Sequence, residues 1–193
     1  MRQLALLLAI GASTGLMAQE DQKWAAAHLG FDRFSQHSEL TSQRGLGVSA
    51  GFWATEVVGL EARGIYMPEK SEAGHKSKEV HGLVSLLFNF RPYAANWYPY
   101  LAVGPGITRT GRGTAADSAS YTGRLETAFT YHLGVGVIGH LSRHALVQGD
   151  AKLLRVDLNN PVSRNEFLVT LGIGWAWGGE KAFQILRDPA PGI

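Results

Sequence analysis

The sequence predicts an all-β fold, namely a closed transmembrane barrel of eight antiparallel strands. From Trp24 onward, bulky apolar residues alternate with glycine or small polar residues, which is the pattern of strands whose two faces meet different surroundings. Each segment reaches the roughly 9 to 11 residues that a tilted strand needs to cross a bilayer, and bacterial barrels have an even number of strands. The eight predicted strands span residues 24–34, 44–54, 57–67, 78–90, 98–108, 126–138, 145–156 and 165–177.

The connections between these strands alternate in length. Three are comparatively tight and four are longer and polar; the tight ones are 55–56, 91–97 and 141–144, and the longer ones are 35–43, 68–77, 109–125 and 157–164. Transmembrane barrels combine short periplasmic turns with longer external loops. We therefore expect the four longer connections on the external side.

The period of two also assigns the faces of each strand. In strand six, five bulky residues alternate with small or polar ones; the bulky set is Phe129, Tyr131, Leu133, Val135 and Val137. The interior of an eight-stranded barrel is just wide enough for side chains to fill, so several aromatic residues per strand would overfill it. We expect the small set inside and the bulky set in lipid.

Aromatic residues cluster near the predicted strand ends, where transmembrane barrels carry girdles. The periplasmic group is Trp24, Phe52, Phe90, Trp97, Tyr98, Trp175 and Trp177, and the external group is Phe31, Tyr66, Phe129, Tyr131 and Phe167. Tyrosine and tryptophan suit this level because one end of the ring is apolar and the other forms hydrogen bonds.

Length, composition and the first residues predict an exported single domain. The 193 residues are 45% apolar and 18% charged with a formal charge of +2, which gives no reason to expect a nucleic-acid partner. Arg2, the apolar run 4–10 and Ala18 have the pattern of a cleaved signal peptide. We expect a signal peptide at 1–18, the barrel at 19–178 and a short periplasmic tail at 179–193. The absence of cysteine excludes a disulfide scaffold and a lipoprotein.

Three segments resemble a known family. The stretches 98–106 (YPYLAVGPG), 131–138 (YHLGVGVI) and 147–153 (VQGDAKL) are similar to the outer-membrane β-barrel family typified by the transmembrane domain of outer membrane protein A and by outer membrane protein X. The resemblance implies the outer membrane of a Gram-negative-type bacterium, insertion by the barrel assembly machinery, and contact with outer-membrane lipid and lipopolysaccharide. The chain departs from the family in continuing past Trp177 and in placing Pro105 within a strand, where we expect a β-bulge.

One catalytic motif was considered. His140, Leu141 and Ser142 resemble the His-x-Ser spacing of the lipid A deacylases, which are also eight-stranded barrels. Those enzymes open their site to the outer leaflet, whereas this motif falls at a predicted periplasmic turn, and Leu154 occupies the position of their acidic residue. We predict an ordinary turn and no catalytic residues.

Three histidines, His28, His81 and His132, face the lumen in the predicted register. A structural metal site wants four ligands, often with characteristic local spacing, and these residues do not show it. We expect histidines that bond to neighbouring groups, with no metal and no cofactor.

The predicted lumen contains a charge network. Glu61 and Arg63 on strand three lie diametrically opposite Asp150 and Lys152 on strand seven, with Gln148 beside them. Buried charges without partners are costly, and the lumen is narrow enough for long side chains to meet. We predict the pairs Glu61–Lys152 and Arg63–Asp150, which would block ions.

Basic residues in the third long connection suggest a partner for the external surface. Arg109, Arg112 and Arg124 could contact lipopolysaccharide phosphates, but solvated loop charge is the interpretation that the sequence favours. The sequence thus predicts a monomeric, non-enzymatic outer-membrane barrel that contributes to envelope integrity or surface interaction. The alternatives are a narrow pore and an enzyme that modifies lipid A.

Overall fold

The protein forms a closed barrel of eight strands in a computed structural model that describes residues 21–34, 43–72, 75–90, 97–114, 125–142, 144–157 and 163–178. The strands are β1 (Lys23–Phe34), β2 (Gln43–Trp53), β3 (Val58–Glu72), β4 (His75–Asn89), β5 (Trp97–Thr114), β6 (Leu125–His140), β7 (Ala145–Asp157) and β8 (Arg164–Trp177). Each strand pairs antiparallel with the next, and β8 pairs with β1 to close the barrel. The predicted fold class is confirmed. Within the described ranges, no helix is long and apolar enough to cross a membrane.

The external ends of the strands differ from the prediction. Residues 68–77 were expected to form a long loop, but β3 and β4 stay paired up to Glu72 and His75. Arg109 and Arg112 likewise belong to β5 and not to a loop. Backbone hydrogen bonds continue a ladder whatever the side chains are, so a polar sequence can extend a strand beyond the apolar stretch from which it was predicted. The predicted signal peptide and the predicted tail lie outside the described residues.

Pro68 lies within β3 and Pro105 within β5, and Pro105 does not have the effect that we expected. Pro105 pairs with Tyr131 in an unbroken register, so the bulge predicted there is wrong. Towards β4, pairing skips Gly104 and Pro105 but resumes in the same register. The missing proline donor therefore leaves a local gap in the ladder without an extra residue. The register does shift between Met67 and Lys70, the segment that contains Pro68.

The bulky residues face outward, as predicted. Leu133 and Val135, near the middle of β6, are 52% and 57% exposed on the outer surface of the barrel. Gly134 between them faces inward, where an added Cβ would lie 2.6 Å from Cγ of Lys152. The small residue is required because a long side chain of β7 occupies that part of the lumen.

Ten of the twelve girdle residues are exposed on the outward face, and two are not. The exposed residues are Phe31, Phe52, Tyr66, Phe90, Trp97, Phe129, Tyr131, Phe167, Trp175 and Trp177. Trp24 and Tyr98 are buried inside the barrel, so their assignment to the periplasmic girdle is wrong. The alternation of β1 explains Trp24, because Leu29 and Phe31 take the outward set and leave Trp24 on the inward one. Its ring packs against Trp53, with 5.7 Å between ring centroids.

Candidate functional site

The periplasmic end of the lumen is filled by apolar side chains. They form one buried cluster contributed by seven of the eight strands; its members are Trp24, Ala26, Trp53, Leu87, Tyr98, Tyr100, Ala102, Ile138, Leu146 and Ala176. We call this cluster the lower apolar layer. It lies on the periplasmic side of the charged residues described next.

The predicted charged residues meet in the middle of the lumen, and all four are buried. Arg63 lies between two carboxylates: its Nη2 is 3.0 Å from Oε2 of Glu61 and 2.6 Å from Oδ2 of Asp150. Nη1 of Arg63 also donates to Oδ1 of Asp150 at 2.9 Å. Nζ of Lys152 lies 3.2 Å from Oε1 of Glu61. Both predicted cross-lumen pairs are therefore within ion-pair distance, and Arg63 adds a contact with Glu61 on its own strand.

Neutral side chains form further hydrogen bonds with these charged groups. Gln148 Nε2 donates to Oε2 of Glu61 at 2.6 Å and to Oη of Tyr100 at 3.0 Å. The Tyr100 hydroxyl in turn donates to Oδ2 of Asp150 at 3.0 Å, and the Thr170 hydroxyl donates to Oδ1 of the same carboxylate at 2.9 Å. We call these residues, with Glu61, Arg63 and Lys152, the ionic network. Tyr100 and Thr170 were not predicted, although both occupy inward positions of their strands.

A second apolar layer covers the ionic network on its external side. It is formed by buried side chains of β3, β4, β7 and β8; its members are Ile65, Met67, Leu83, Leu154 and Leu168. We call it the upper apolar layer. The two cationic and two anionic side chains of the network thus balance one another between two apolar layers. In such surroundings a paired charge is tolerable, but removal of one partner is strongly destabilising.

The three predicted lumen histidines all face inward, and each bonds a hydroxyl group. His28 Nε2 lies 2.8 Å from Oγ of Ser49, and His132 Nε2 lies 2.8 Å from Oγ of Ser85. His81 Nδ1 lies 3.0 Å from Oγ1 of Thr108, and His81 pairs across strands with Ile65 of the upper apolar layer.

A second charged group, which the sequence analysis missed, surrounds His81 at the external end of the lumen. It contains four buried residues, Asp32, Glu79, His81 and Glu166. Each offers one side-chain atom that could bind a metal, and these four atoms all lie within 4.8 Å of one another. Arg164 contacts Glu166 and, through Nη2, Oε1 of Glu79 at 2.6 Å. We call the first four residues the acidic cluster. The available signal was that Glu79 and His81 share the inward face of β4.

The His140–Ser142 motif lies where β6 ends and the β6–β7 turn begins. The hydroxyl oxygen of Ser142 accepts the backbone N–H of Ala145 at 3.0 Å, which stabilises the β6–β7 turn. The His140 ring packs edge-on against Tyr98, with 5.4 Å between centroids. Leu154, at the position of the acidic residue, belongs to the upper apolar layer.

Among the side chains that the structure describes, three arginines are exposed near the end of the barrel that the sequence analysis assigns to the external side. Arg109 lies on the outward face of β5, Arg44 lies over the Phe31 ring at 5.9 Å, and the side chain of Arg155 is 64% exposed and pairs across strands with Tyr131. These arginines thus lie next to aromatic residues of the external girdle. Of the other two predicted lipopolysaccharide contacts, the Arg112 side chain and all of Arg124 lie outside the described residues.

Several solved structures are similar to this fold. The attachment invasion locus protein Ail of Yersinia pestis is 14% identical, with 82% of this chain and 99% of Ail covered and a TM-score of 0.58. Ail has also been solved in complex with the heparin analogue sucrose octasulfate, with a TM-score of 0.57. Neisserial surface protein A is 15% identical over 81% of this chain and 98% of its own, with a TM-score of 0.61. The N-terminal barrel domain of Pseudomonas aeruginosa OprF is 13% identical over 82% and 99%, with a TM-score of 0.55.

At these identities the structural likeness shows the fold alone, and no curated protein sequence matches the chain. The family assignment comes from the sequence as a whole. Residues 4–174 match the family described as outer membrane protein beta-barrel domain. With eight paired strands that form a closed barrel and a match over residues 4–174, this chain belongs to the outer-membrane β-barrel family.

Proposed function

We propose that this protein is a non-enzymatic, non-conducting outer-membrane barrel that contributes to envelope integrity through its external surface. The observation that carries the proposal is the filling of the lumen. The ionic network lies between two apolar layers, so an ion moving along the axis would have to displace paired, buried charges as well as packed side chains. A lumen built in this way stabilises the barrel and leaves its outer surface to interact.

The three exposed arginines supply the chemistry for that interaction. Guanidinium groups bind phosphate oxygens with two parallel hydrogen bonds, and lipopolysaccharide presents phosphates at the external interface. Arg44 pairs with Phe31 and Arg155 pairs with Tyr131, so both lie at the level of the external girdle. Arg109 follows Ile107, the partner of Phe129, by two residues along β5. We infer that these arginines hold lipopolysaccharide phosphates while the neighbouring aromatic rings contact the acyl chains.

The Ail complex favours a related role in surface interaction. Its ligand, sucrose octasulfate, presents sulfate groups, which guanidinium groups bind by the same geometry as phosphates. Sulfated polysaccharide is therefore the second class of partner that we consider for this external surface. The two alternatives predicted from sequence, a pore and a lipid-modifying enzyme, have less support, because the lumen is filled and Ser142 serves a turn.

A deletion strain tests the proposal. Loss of the gene should raise sensitivity to detergents and bile salts, and the wild-type gene should restore resistance. A variant with Arg44→Gln, Arg109→Gln and Arg155→Gln should restore little, because each cation near an anionic surface contributes about 1 kcal/mol. Lys23→Gln is the matched control, since Lys23 is exposed at the periplasmic end of β1. Full resistance in the deletion strain, or full restoration by the triple variant, would refute the role.

A further inference from the structure

The acidic cluster at the external end of the lumen joins three strands around one point. Asp32 lies on β1, Glu79 and His81 on β4, and Glu166 on β8. His81 Nε2 is 3.7 Å from Oδ2 of Asp32 and 3.8 Å from Oε2 of Glu79. These distances exceed those of hydrogen bonds. They are close to the spacing of ligands about 2 Å from a common metal ion, which lie roughly 3 to 4 Å apart.

Polar atoms in this cluster lack hydrogen-bond partners although they are buried. His81 is fully buried, and its Nε2 finds no hydrogen-bond partner in the part of the chain that the structure describes. The same is true of Oε2 of Glu79 and Oε2 of Glu166. A buried polar atom without a partner is costly, so several that converge on one point indicate a ligand between them.

The second ring nitrogen of His81, Nδ1, forms a hydrogen bond, as the second nitrogen of a metal-binding histidine commonly does. Its Nδ1 lies 3.0 Å from Oγ1 of Thr108, and that hydroxyl is 2.8 Å from Oγ1 of Thr130. Such a bond fixes the orientation of the ring and leaves Nε2 to bind a metal. His28 and His132 also form hydrogen bonds with hydroxyl groups. Among the described residues, however, neither of them belongs to a cluster of possible metal ligands.

The charge of the cluster and the types of its donor atoms indicate which kind of ion it binds. The three carboxylates meet at one point beside the guanidinium of Arg164, and an acidic set of donor atoms of this kind favours a cation as its ligand. One imidazole with three carboxylates suits a first-row transition metal such as Mn²⁺ or Zn²⁺, whereas Ca²⁺ takes six to eight oxygen ligands. We propose that Asp32, Glu79, His81 and Glu166 bind one divalent transition-metal ion at the external end of the lumen.

The ion would join the two strands that close the barrel to the opposite wall. β1 and β8 are hydrogen-bonded to each other, and β4 lies across the lumen from them. The site would therefore hold opposite walls of the barrel together, beside the upper apolar layer with which its residues pair across strands. Because binding to the folded state alone raises stability, the metal should raise the temperature of unfolding.

Calorimetric titration of the full chain, folded in detergent without a polyhistidine tag and freed of metal by EDTA, tests the site. Zn²⁺ or Mn²⁺ should bind at one saturable site and raise the unfolding temperature, and Ca²⁺ should do neither. His81→Asn retains an amide near the position of Nδ1 but removes the metal ligand. This variant should weaken metal binding by more than about 100-fold. Loss of a residue that only hydrogen-bonds to a metal ligand already weakens binding about 10- to 100-fold, and loss of the ligand itself should cost more. Glu166→Gln should also lose the metal-dependent rise.

His132→Asn is the matched control, because His132 is a lumen histidine outside the acidic cluster; it should bind metal as the wild type does. Heat-modifiable gel mobility identifies the variants that are folded. If His81→Asn does not fold, spin-echo spectra of the Mn²⁺-loaded wild type provide a second test and should show coupling to one imidazole nitrogen. Absence of saturable binding, binding retained in folded His81→Asn, equal binding of Ca²⁺, or absence of nitrogen coupling would each overturn the proposal.

Discussion

Replacing Arg63 by methionine should destabilise the folded barrel by about 3 to 5 kcal/mol, the cost of breaking a buried ion pair by removing one partner. Arg63 contacts both Glu61 and Asp150, and all three side chains are fully buried. Without the guanidinium, Lys152 would be the one cation left in the network to face two buried carboxylates. Urea unfolding in phospholipid vesicles, followed by tryptophan fluorescence, measures the loss.

Arg155→Met is the control for the loss of an arginine. Its partner Asp157 is 3.6 Å away and both side chains are largely exposed, so the change should cost less than about 1 kcal/mol. A second control adds Asp150→Asn to Arg63→Met, which removes one uncompensated charge and should recover part of the loss. If Arg63→Met unfolded like the wild type, the ionic network would have no role in stability.

Replacing Leu133 by arginine should destabilise the inserted barrel by about 2 to 4 kcal/mol, the cost of an arginine on the lipid face near the bilayer midplane. Leu133 lies midway along β6 and is 52% exposed on the outward face. The same unfolding measurement in vesicles applies. Val135→Arg, two residues further along the same face, should behave alike.

The neighbouring residue distinguishes the two faces of β6. Leu133→Met keeps the outward side chain apolar and should cost less than about 1.5 kcal/mol. Gly134→Lys should prevent folding by crowding, because its Cβ would lie 2.6 Å from Cγ of Lys152. If Leu133→Arg inserted with unchanged stability, the register of β6 would be wrong by one residue.

Strand faces were predictable because the period of two leaves little freedom. Once Leu60 and Leu153 are assigned to lipid, Glu61, Arg63, Asp150 and Lys152 must turn inward, and the strand count places β3 opposite β7. The cross-lumen pairs follow from that geometry without knowledge of any loop. The same alternation also places Tyr100 and Thr170 on the inward face. Their hydroxyl groups carry no charge, so nothing in the sequence marked them as partners of the charged residues.

Two kinds of feature were missed: aromatic residues whose position in the alternation was overlooked, and a cluster formed by strands that are distant in sequence. Trp24 and Tyr98 are aromatic and lie near strand ends, so composition favoured the girdle, whereas the alternation within each strand decides that they face inward. The acidic cluster was missed because its members come from strands that are distant in sequence and because Glu79 fell near a segment predicted to be loop. Proline effects were also misplaced, since a closed ladder tolerates a gap at Pro105 but shifts its register in the segment of Pro68.

Planar-bilayer recording of the purified, folded wild-type protein tests the central claim most directly, namely that the ionic network and the two apolar layers close the lumen. A pore would require a continuous water path past Arg63 and Lys152, both of which are held in ion pairs. We expect the current to stay at the baseline of the protein-free membrane in concentrated KCl, with insertion verified by heat-modifiable gel mobility of the reconstituted protein. Discrete and reproducible conductance steps from the wild-type protein would contradict the account.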